Sequence, residues 1–357
     1  MLEFGFIKGD GVGPELINHM LHILNKFDIK YKAHEININY NSFNLNEVAP
    51  HKFIIKGPNK TPYGYKSVNF YLRKYLDLAV NIRPANNIVI LRENTQDIYT
   101  NEEYGYGDVF FSKKLLTKNV TERFAQFCKT FISNNNFSNV TIMCKDNLLS
   151  DKYFIDILNK YIKTSVEWQD NGLAKLSQNP EKYQVIITPN IIGDIASNIT
   201  SLQEGNIAYG ASIQVGENNI VFEPVHGTAD KHVNKQTLIK TGIERSLSFL
   251  LYNTGYKKLA LSIYKNAKIK IPSIAPLSNA VLQEKHIGWD ILVFGNVNNI
   301  NCYKIFHNGI ETKPLGKNYY KLRFYEKDLN ELLTLCKDVS ILNIERLCFK
   351  ETKALFS

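Results

Sequence analysis

Short apolar runs recur along the chain, separated by longer stretches with helical patterning. LEFGFI, KFIIKG, NIVILRE, VTIMC, YQVIITPN and NIVFEPV are rich in β-branched and aromatic residues and short enough to be strands. Residues 16–27, 120–134, 151–164 and 237–253 read as helices, and strands alternating with helices in this way predict α/β layering. PNIIGDIASNIT predicts another helix, starting near Gly193, which stacks Asp194 and Asn198 on one face about a turn apart. From residue 274 the pattern changes. GWDILVF, CYKIFHNG and YYKLRF are strand signals and DLNELLTLCKD is helical, so residues 274–357 are expected to form a small α+β module. No internal repeat or low-complexity linker interrupts the chain.

Composition narrows the classes. With 357 residues, 44% of them hydrophobic and 22% charged, the chain can bury a large core and divide into two or three domains. No apolar run is long enough to cross a bilayer, and MLEFGFIKGDGVGP lacks a basic stretch followed by an apolar one; a cytoplasmic protein with no membrane partner is expected. The five cysteines show no CxxC spacing, which argues for buried thiols rather than a zinc site or disulfides. The formal charge of +9 is spread along the chain without a basic tract interleaved with aromatics, so no nucleic-acid partner is expected.

Candidate chemistry begins at GDGVGPE, residues 9–15, between a strand and a helix. Its glycines predict a tight turn with amides facing an anion. It does not fit the GxGxxG fingerprint and lacks the lysine of a Walker loop, so alone it reads as a strand-to-helix turn. In KTPYGYKSVNFYLRKYLDLAVNIRPANNIVILREN, Asn69 and Arg73 are four apart on an expected helix, with Ser67 near its start. Arg83 and Arg92 adjoin strands. Three guanidiniums, each a planar fork for carboxylate, suit a polycarboxylate ligand.

Taken in order, GDGVGPE, KGPNKTP, KSVNFYLR, NIRP, LRENTQDIY, VTERFAQFC, VTIMCKDN, TPNIIGDIAS and FEPVHGTA resemble the isocitrate and isopropylmalate dehydrogenase family of metal-dependent, decarboxylating dehydrogenases. The S-x-N-x-x-x-R pattern of Ser67, Asn69 and Arg73 is similar to the isocitrate branch. The tail is similar to the extra C-terminal domain of the long bacterial type. The resemblance implies an isocitrate/isopropylmalate dehydrogenase-like α/β fold. It places residues 1–80 with 205–273 in a large domain, and 81–204 in a small domain with a dimer clasp at about 97–121. The implied activity is oxidation and decarboxylation of isocitrate to 2-oxoglutarate and CO2.

Residue by residue, the resemblance implies that Ser67, Asn69, Arg73, Arg83 and Arg92 contact substrate and that Thr61 lies near substrate and nicotinamide. Tyr99 falls on the family's proton-donating tyrosine, Lys145 on its catalytic lysine and Asn147 on a nicotinamide contact. Asp170, Asp194 and Asn198 fall on the ligands of Mg2+ or Mn2+, with Asn198 replacing the family's aspartate; one negative charge is lost, and weaker metal binding is expected. His226, Gly227, Thr228 and Ala229 match the adenine loop, which then departs from the family by losing its proline and its AG and NP pairs. Ungapped, Lys231 and His232 fall where NADP enzymes contact the 2′-phosphate, which favours NADP. With a gap at the missing proline, Asp230 falls on the acidic residue of NAD enzymes. Lys145 and Asp170 are expected to reach into the partner's site, so the implied unit is a homodimer with shared active sites. The departures also leave open a silent relative that acts as a binding or regulatory subunit.

Overall fold

The computed structural model describes residues 1–85, 87–100, 103–106, 108–264 and 271–274, and strands at 284–294, 310–316, 319–325 and 340–350. The chain forms two compact units, Met1–Ala280 and Val281–Ser357. The first opens with β1 (Leu2–Ile7), α1 (Gly13–Lys26), β2 (Tyr31–Glu35), α2 (Leu45–Val48), β3 (Phe53–Lys56), α3 (Val68–Tyr75), β4 (Val80–Ala85) and β5 (Ile88–Glu93). It continues with β6 (Glu103–Tyr106), β7 (Val109–Ser112), α4 (Lys118–Asn134), β8 (Val140–Cys144), α5 (Leu149–Asn159), β9 (Ser165–Trp168) and α6 (Gln169–Gln178). It ends with β10 (Val185–Thr188), α7 (Asn190–Gln203), β11 (Ala211–Val215), β12 (Ile220–Pro224), α8 (Thr241–Asn253) and α9 (Lys257–Ile263).

One ten-stranded sheet, in the order β2-β1-β3-β12-β11-β4-β5-β10-β8-β9, runs through this unit. Two parallel wings, β2-β1-β3-β12 and β5-β10-β8-β9, point in opposite directions and meet through the antiparallel strands β11 and β4. The strands read from LEFGFI, KFIIKG, NIVILRE, VTIMC, YQVIITPN and NIVFEPV are all present. β4 and β11 went unread because VNIRPA and ASIQV carry Asn, Arg, Ser and Gln, yet both strands are buried throughout. Helix α7 begins at Asn190, before Gly193, because Pro189 fits the N-cap and leaves no obligatory break after it. α8 starts at Thr241, because residues 235–238 form a turn closed by Leu238 N donating to Lys235 O.

The polar residues that broke the strand pattern form a row across the sheet. Glu223 on β12 pairs in register with Ser212 on β11, Gln214 with Asn81 on β4, Asn81 with Arg92 on β5, and Arg92 with Thr188 on β10. Paired residues share a face, so these side chains line one side of the sheet. Lys56 joins the row through a buried ion pair, its Nζ 3.0 Å from Glu223 Oε2. Apolar clusters lie on both wings: Ile7, Ile54, Val221 and Leu72 on one, Ile90, Ile186, Met143 and Ile192 on the other. They seat α3 and α7, whose polar side chains meet at the row.

The second unit has β13 (Glu284–Phe294), β14 (Ile310–Gly316), β15 (Tyr319–Tyr325) and β16 (Ser340–Lys350) in an antiparallel sheet of order β14-β15-β13-β16. That is the strand order of a split β-α-β unit. The expected strand CYKIFHNG and the expected helix DLNELLTLCKD lie outside the described residues.

Glu223→Gln leaves the Lys56 ammonium buried without its counter-ion, so unfolding free energy from urea titration is expected to fall by about 3–5 kcal/mol. A Lys56→Met, Glu223→Leu pair is expected to lose less than the single change.

Candidate active site

Gly193 lets α7 approach the sheet closely: a Cβ there would lie 2.7 Å from Arg92 Cβ and 2.5 Å from Thr188 Oγ1. The next residue, Asp194, is thereby placed over two buried arginines. Its Oδ1 lies 2.5 Å from Arg92 Nη1 and 3.2 Å from Arg83 Nη1. Neighbouring groups fix both guanidiniums. Arg92 Nε donates to Asn190 Oδ1 (2.8 Å) and Arg83 Nη1 to Ser197 Oγ (2.5 Å). Arg73, on α3, donates from Nε to Gln214 Oε1 at 3.1 Å. Gln214 is oriented in turn by donating to Glu223 Oε1 (2.6 Å) and accepting from Asn94 Nδ2 (2.8 Å). Three arginines from three elements therefore converge on one place.

Burial and the charge of Arg92 lower the pKa of Arg73 to about 9 and that of Arg83 to about 10, which leaves both cationic at neutral pH. Burial acts to raise the pKa of Asp194, but Arg92, Arg83 and Arg73 outweigh it and hold the carboxyl below its ordinary range. Tyr99 stands at the open side, its OH 3.4 Å from Asp194 Oδ2 and its ring 5.6 Å from the Arg92 guanidinium. Partial burial, helped by the Asp194 charge, raises its pKa and keeps the phenol protonated. Ser67 caps α3 by accepting from Phe70 N at 3.0 Å, which leaves its own O–H free to donate. Asn69 Oδ1 is buried without a hydrogen-bond partner among the described residues.

Lys145 and Asp170 form a second group. Lys145 Nζ donates to Asp170 Oδ2 at 3.0 Å and lies 4.9 Å from the ring of the exposed Trp168. Asn147 is exposed beside it. No hydrogen bond or ion pair joins this group to Asp194, Asn198 or Tyr99 among the described residues.

The loops expected at the cofactor meet at one end of the sheet. The GDGVGPE turn does not offer its amides to an anion: Asp10 N donates to Pro58 O (2.7 Å) and Val12 N to Thr228 O (3.0 Å). Gly11, at φ +58°, would place a Cβ 2.3 Å from Thr228 O and 2.5 Å from Asp230 Oδ1, so the turn is a brace for the 226–232 loop. Burial lowers the pKa of His226 and keeps it neutral at neutral pH; its Nδ1 faces Gly227 O at 2.9 Å while Nε2 is buried without a partner. Gly227 and Thr228 lead to Ala229, in the left-handed region at φ +46°, and then to a short turn with Lys231 and His232 exposed. Thr61 is exposed on the loop before α3.

The sequence profile of the isocitrate/isopropylmalate dehydrogenase family matches residues 3–273. The chain belongs to that family. Among similar proteins, an isocitrate dehydrogenase [NADP] of Rickettsia felis is 30% identical over 294 residues, covering 72% of this chain and 61% of that protein. The chain thus spans less than two thirds of that relative's length. The mitochondrial isocitrate dehydrogenase [NAD] subunit alpha of Homo sapiens is 31% identical over 283 residues, 70% of this chain and 77% of that one. The crystal structure of isocitrate dehydrogenase from Methylococcus capsulatus shares the fold with a TM-score of 0.70 at 21% identity, covering 78% of this chain and 98% of that one.

A hard divalent ion takes oxygen donors and keeps several waters, so few protein ligands suffice. The chain's α7 supplies the Asp194 carboxylate and, one turn on, the half-buried Asn198 amide, both of the right donor type. No group of three His, Cys, Asp or Glu side chains gathers to hold a metal ion among the described residues, so this donor set fits such an ion only with a further carboxylate. Asp170 is exposed and is paired with Lys145.

Sequence reading missed Lys56, Asn81, Asn94, Gln214 and Glu223, which orient the arginines. The signal was present in part: a polar residue inside FIIK, VNIRPA, ASIQV or IVFEP has no ordinary place in a buried strand.

Asp194→Asn removes the counter-ion of Arg83 and Arg92, so the variant is expected to be less stable than the parent at pH 7. Because folding depresses the Asp194 pKa from 3.8, that stability is present above pH 3.8 and is lost as pH falls through the folded value. Denaturant midpoints of the two proteins should therefore converge on acidification, and an equal gap at all pH values would remove the ion pair as its source.

Proposed function

We propose that the protein catalyses the oxidative decarboxylation of isocitrate to 2-oxoglutarate and CO2, with hydride transfer to NADP. The observation that carries this reading is the convergence of Arg73, Arg83 and Arg92 on Asp194 beside the protonated phenol of Tyr99. Three cationic forks at one place match three carboxylates better than any monoanion. Ser67 donates its O–H to a substrate oxygen, and the partnerless Asn69 Oδ1 accepts from the substrate hydroxyl. Lys145 takes the hydroxyl proton, and Tyr99 protonates the carbon that CO2 leaves. When bound, Mg2+ or Mn2+ supplies the Lewis-acid charge that acidifies the hydroxyl and stabilises the negative charge left by decarboxylation.

The reading needs two copies. Lys145 and Asp170 pair with each other away from Asp194, and exposed Leu148, Leu149 and Trp168 flank them, a surface suited to a partner. Among the described residues the β6–β7 hairpin joins no other sheet and exposes Val109 and Phe110; a lone hairpin is marginal in water, so a partner's hairpin beside it is the stable arrangement. A homodimer with Lys145 and Asp170 shared across sites follows. Residues 1–80 with 205–273 and residues 81–204 act as large and small domains, one on each wing of the sheet. Asn147 and Thr61 serve the nicotinamide, and His226 through Ala229 the adenine. NADP is favoured over NAD because Lys231 and His232 fall on the 2′-phosphate contacts without a gap; Asp230, Lys231 and His232 are all exposed. Among the described residues no helix is long and apolar enough to cross a membrane, in keeping with a cytoplasmic enzyme.

Asn198, which offers an amide where the resemblance implies a second carboxylate on α7, favours one second reading: a silent relative that binds a polycarboxylate or serves as a regulatory subunit. Absorbance at the reduced-nicotinamide band decides between them, with isocitrate, Mg2+ or Mn2+, and NADP+ or NAD+ in parallel. Chelator-sensitive turnover is expected, stronger with NADP+. A folded dimer without turnover under any of these conditions would leave the second reading. In the active case, Asn198→Asp restores a carboxylate and is expected to lower the metal concentration for half-maximal rate about tenfold.

A further inference from the structure

Helix α7 starts without a capping side chain of its own, since Pro189 holds the N-cap. The amide of Ile191, in its first turn, instead donates to Oδ2 of Asp97, 2.9 Å away and 94 positions earlier in the chain. The other oxygen, Oδ1, accepts from Ile98 N at 2.9 Å. Asp97 is fully buried, and its backbone sits in the left-handed region at φ +72°, where a residue other than glycine is strained. A second tie runs beside it: Asn190 Nδ2 donates to Gln96 O at 3.0 Å while Asn190 Oδ1 accepts from Arg92. Upstream, Glu93 accepts from the amides of Thr95 and Gln96. The segment that leads into Tyr99 is therefore held at several points, and its strained residue is the one that reaches α7.

We propose that Asp97 is a positioning residue, whose carboxylate latches the tyrosine-bearing turn to the N-terminus of α7 and so sets the reach of Tyr99 to the Asp194 site. A carboxylate suits that place on two counts: it satisfies a donor that the helix cannot, and its charge faces the positive end of the helix dipole. The chain beyond Asp97 carries Tyr99, and the turn of α7 beyond Ile191 carries Asp194. One side chain thus spans the two elements whose relative position fixes the 3.4 Å approach of the phenol to the carboxylate. The catalytic part of this inference rests on the reading of Tyr99 as proton donor; the latch itself does not.

Two variants separate the carboxylate from the backbone. Asp97→Gly suits the left-handed conformation better than aspartate but deletes both acceptors. Asp97→Asn tolerates the conformation and keeps one oxygen. Relative to the parent, Asp97→Gly is expected to lower kcat for isocitrate by about 10–100-fold, the scale of a misplacement of about 1 Å, with KM changed less than about threefold. Asp97→Asn should stay within about fivefold of the parent. Amide hydrogen exchange read by mass spectrometry should quicken in residues 97–100 and 190–194 of Asp97→Gly and nowhere else. Parental kcat and exchange in Asp97→Gly would overturn the proposal by leaving Asp97 a backbone role only, and faster exchange throughout the molecule would overturn it as general destabilisation. If the parent itself shows no turnover, the proposed activity fails and exchange alone decides the latch: local quickening in Asp97→Gly upholds it, unchanged exchange removes it.

Discussion

A buried charge is tolerated only when it is paired, and the pairing of Arg83 and Arg92 with Asp194 is the constraint from which much of this architecture follows. Both guanidiniums sit on strands buried throughout, where desolvation disfavours their charge. Their counter-ion cannot come from the sheet itself, whose neighbouring positions hold Asn81, Gln214 and Thr188. It comes from a helix that must lie close enough for a short carboxylate to reach, which makes Gly193 necessary. The same demand shapes the other half of the row, where Lys56 and Glu223 neutralise each other and Gln214 links them to Arg73. The antiparallel strands β11 and β4 carry the middle of the row, and the apolar clusters lie on the wings.

The arginines hold Asp194 as an internal counter-ion. On the proposed function, a polycarboxylate would bring its own negative charge to the arginines and leave the Asp194 carboxylate for another cation, so no buried charge would be left bare. Tyr99 feels the same balance: burial and Asp194 raise its pKa while Arg92 and Arg73 oppose them. Its position at the edge of the cluster keeps its phenol protonated.

The sequence alone was legible where one element repeats one kind of residue. Apolar runs such as VTIMC appear in the structure where expected and the helices of the first unit with ends shifted by a few residues, and family-ordered motifs brought Arg83, Arg92, Tyr99 and Asp194 together before any geometry was known. It was illegible where burial and polarity coincide. β4 and β11 look like loops because their polar residues face the row, and only the register shows those residues satisfying one another. GDGVGPE has the composition of an anion-binding turn, but which carbonyls face its amides depends on two loops far along the chain, Pro58 and Thr228. Asp97 was invisible for the same reason: its partner on α7 is 94 positions away.

The replacement at Asn198 has a consequence beyond the metal. In a site that gathers three arginines against Asp194, a second carboxylate on α7 would add a further negative charge facing the same ligand. Asn198 removes that charge while keeping an oxygen donor one turn from Asp194, so the site becomes more cationic overall. The change therefore works in opposite directions for the two species that the proposed function brings to the site. A divalent cation loses attraction, and a polycarboxylate meets less repulsion and the same three guanidiniums. An ion chelated by such an anion arrives with part of its charge already neutralised and part of its ligand shell filled, so it depends less on the lost carboxylate than a free ion does. On the proposed function, the loss of this carboxylate would favour entry of the metal together with the anion, whereas a purely regulatory role would use the anion alone.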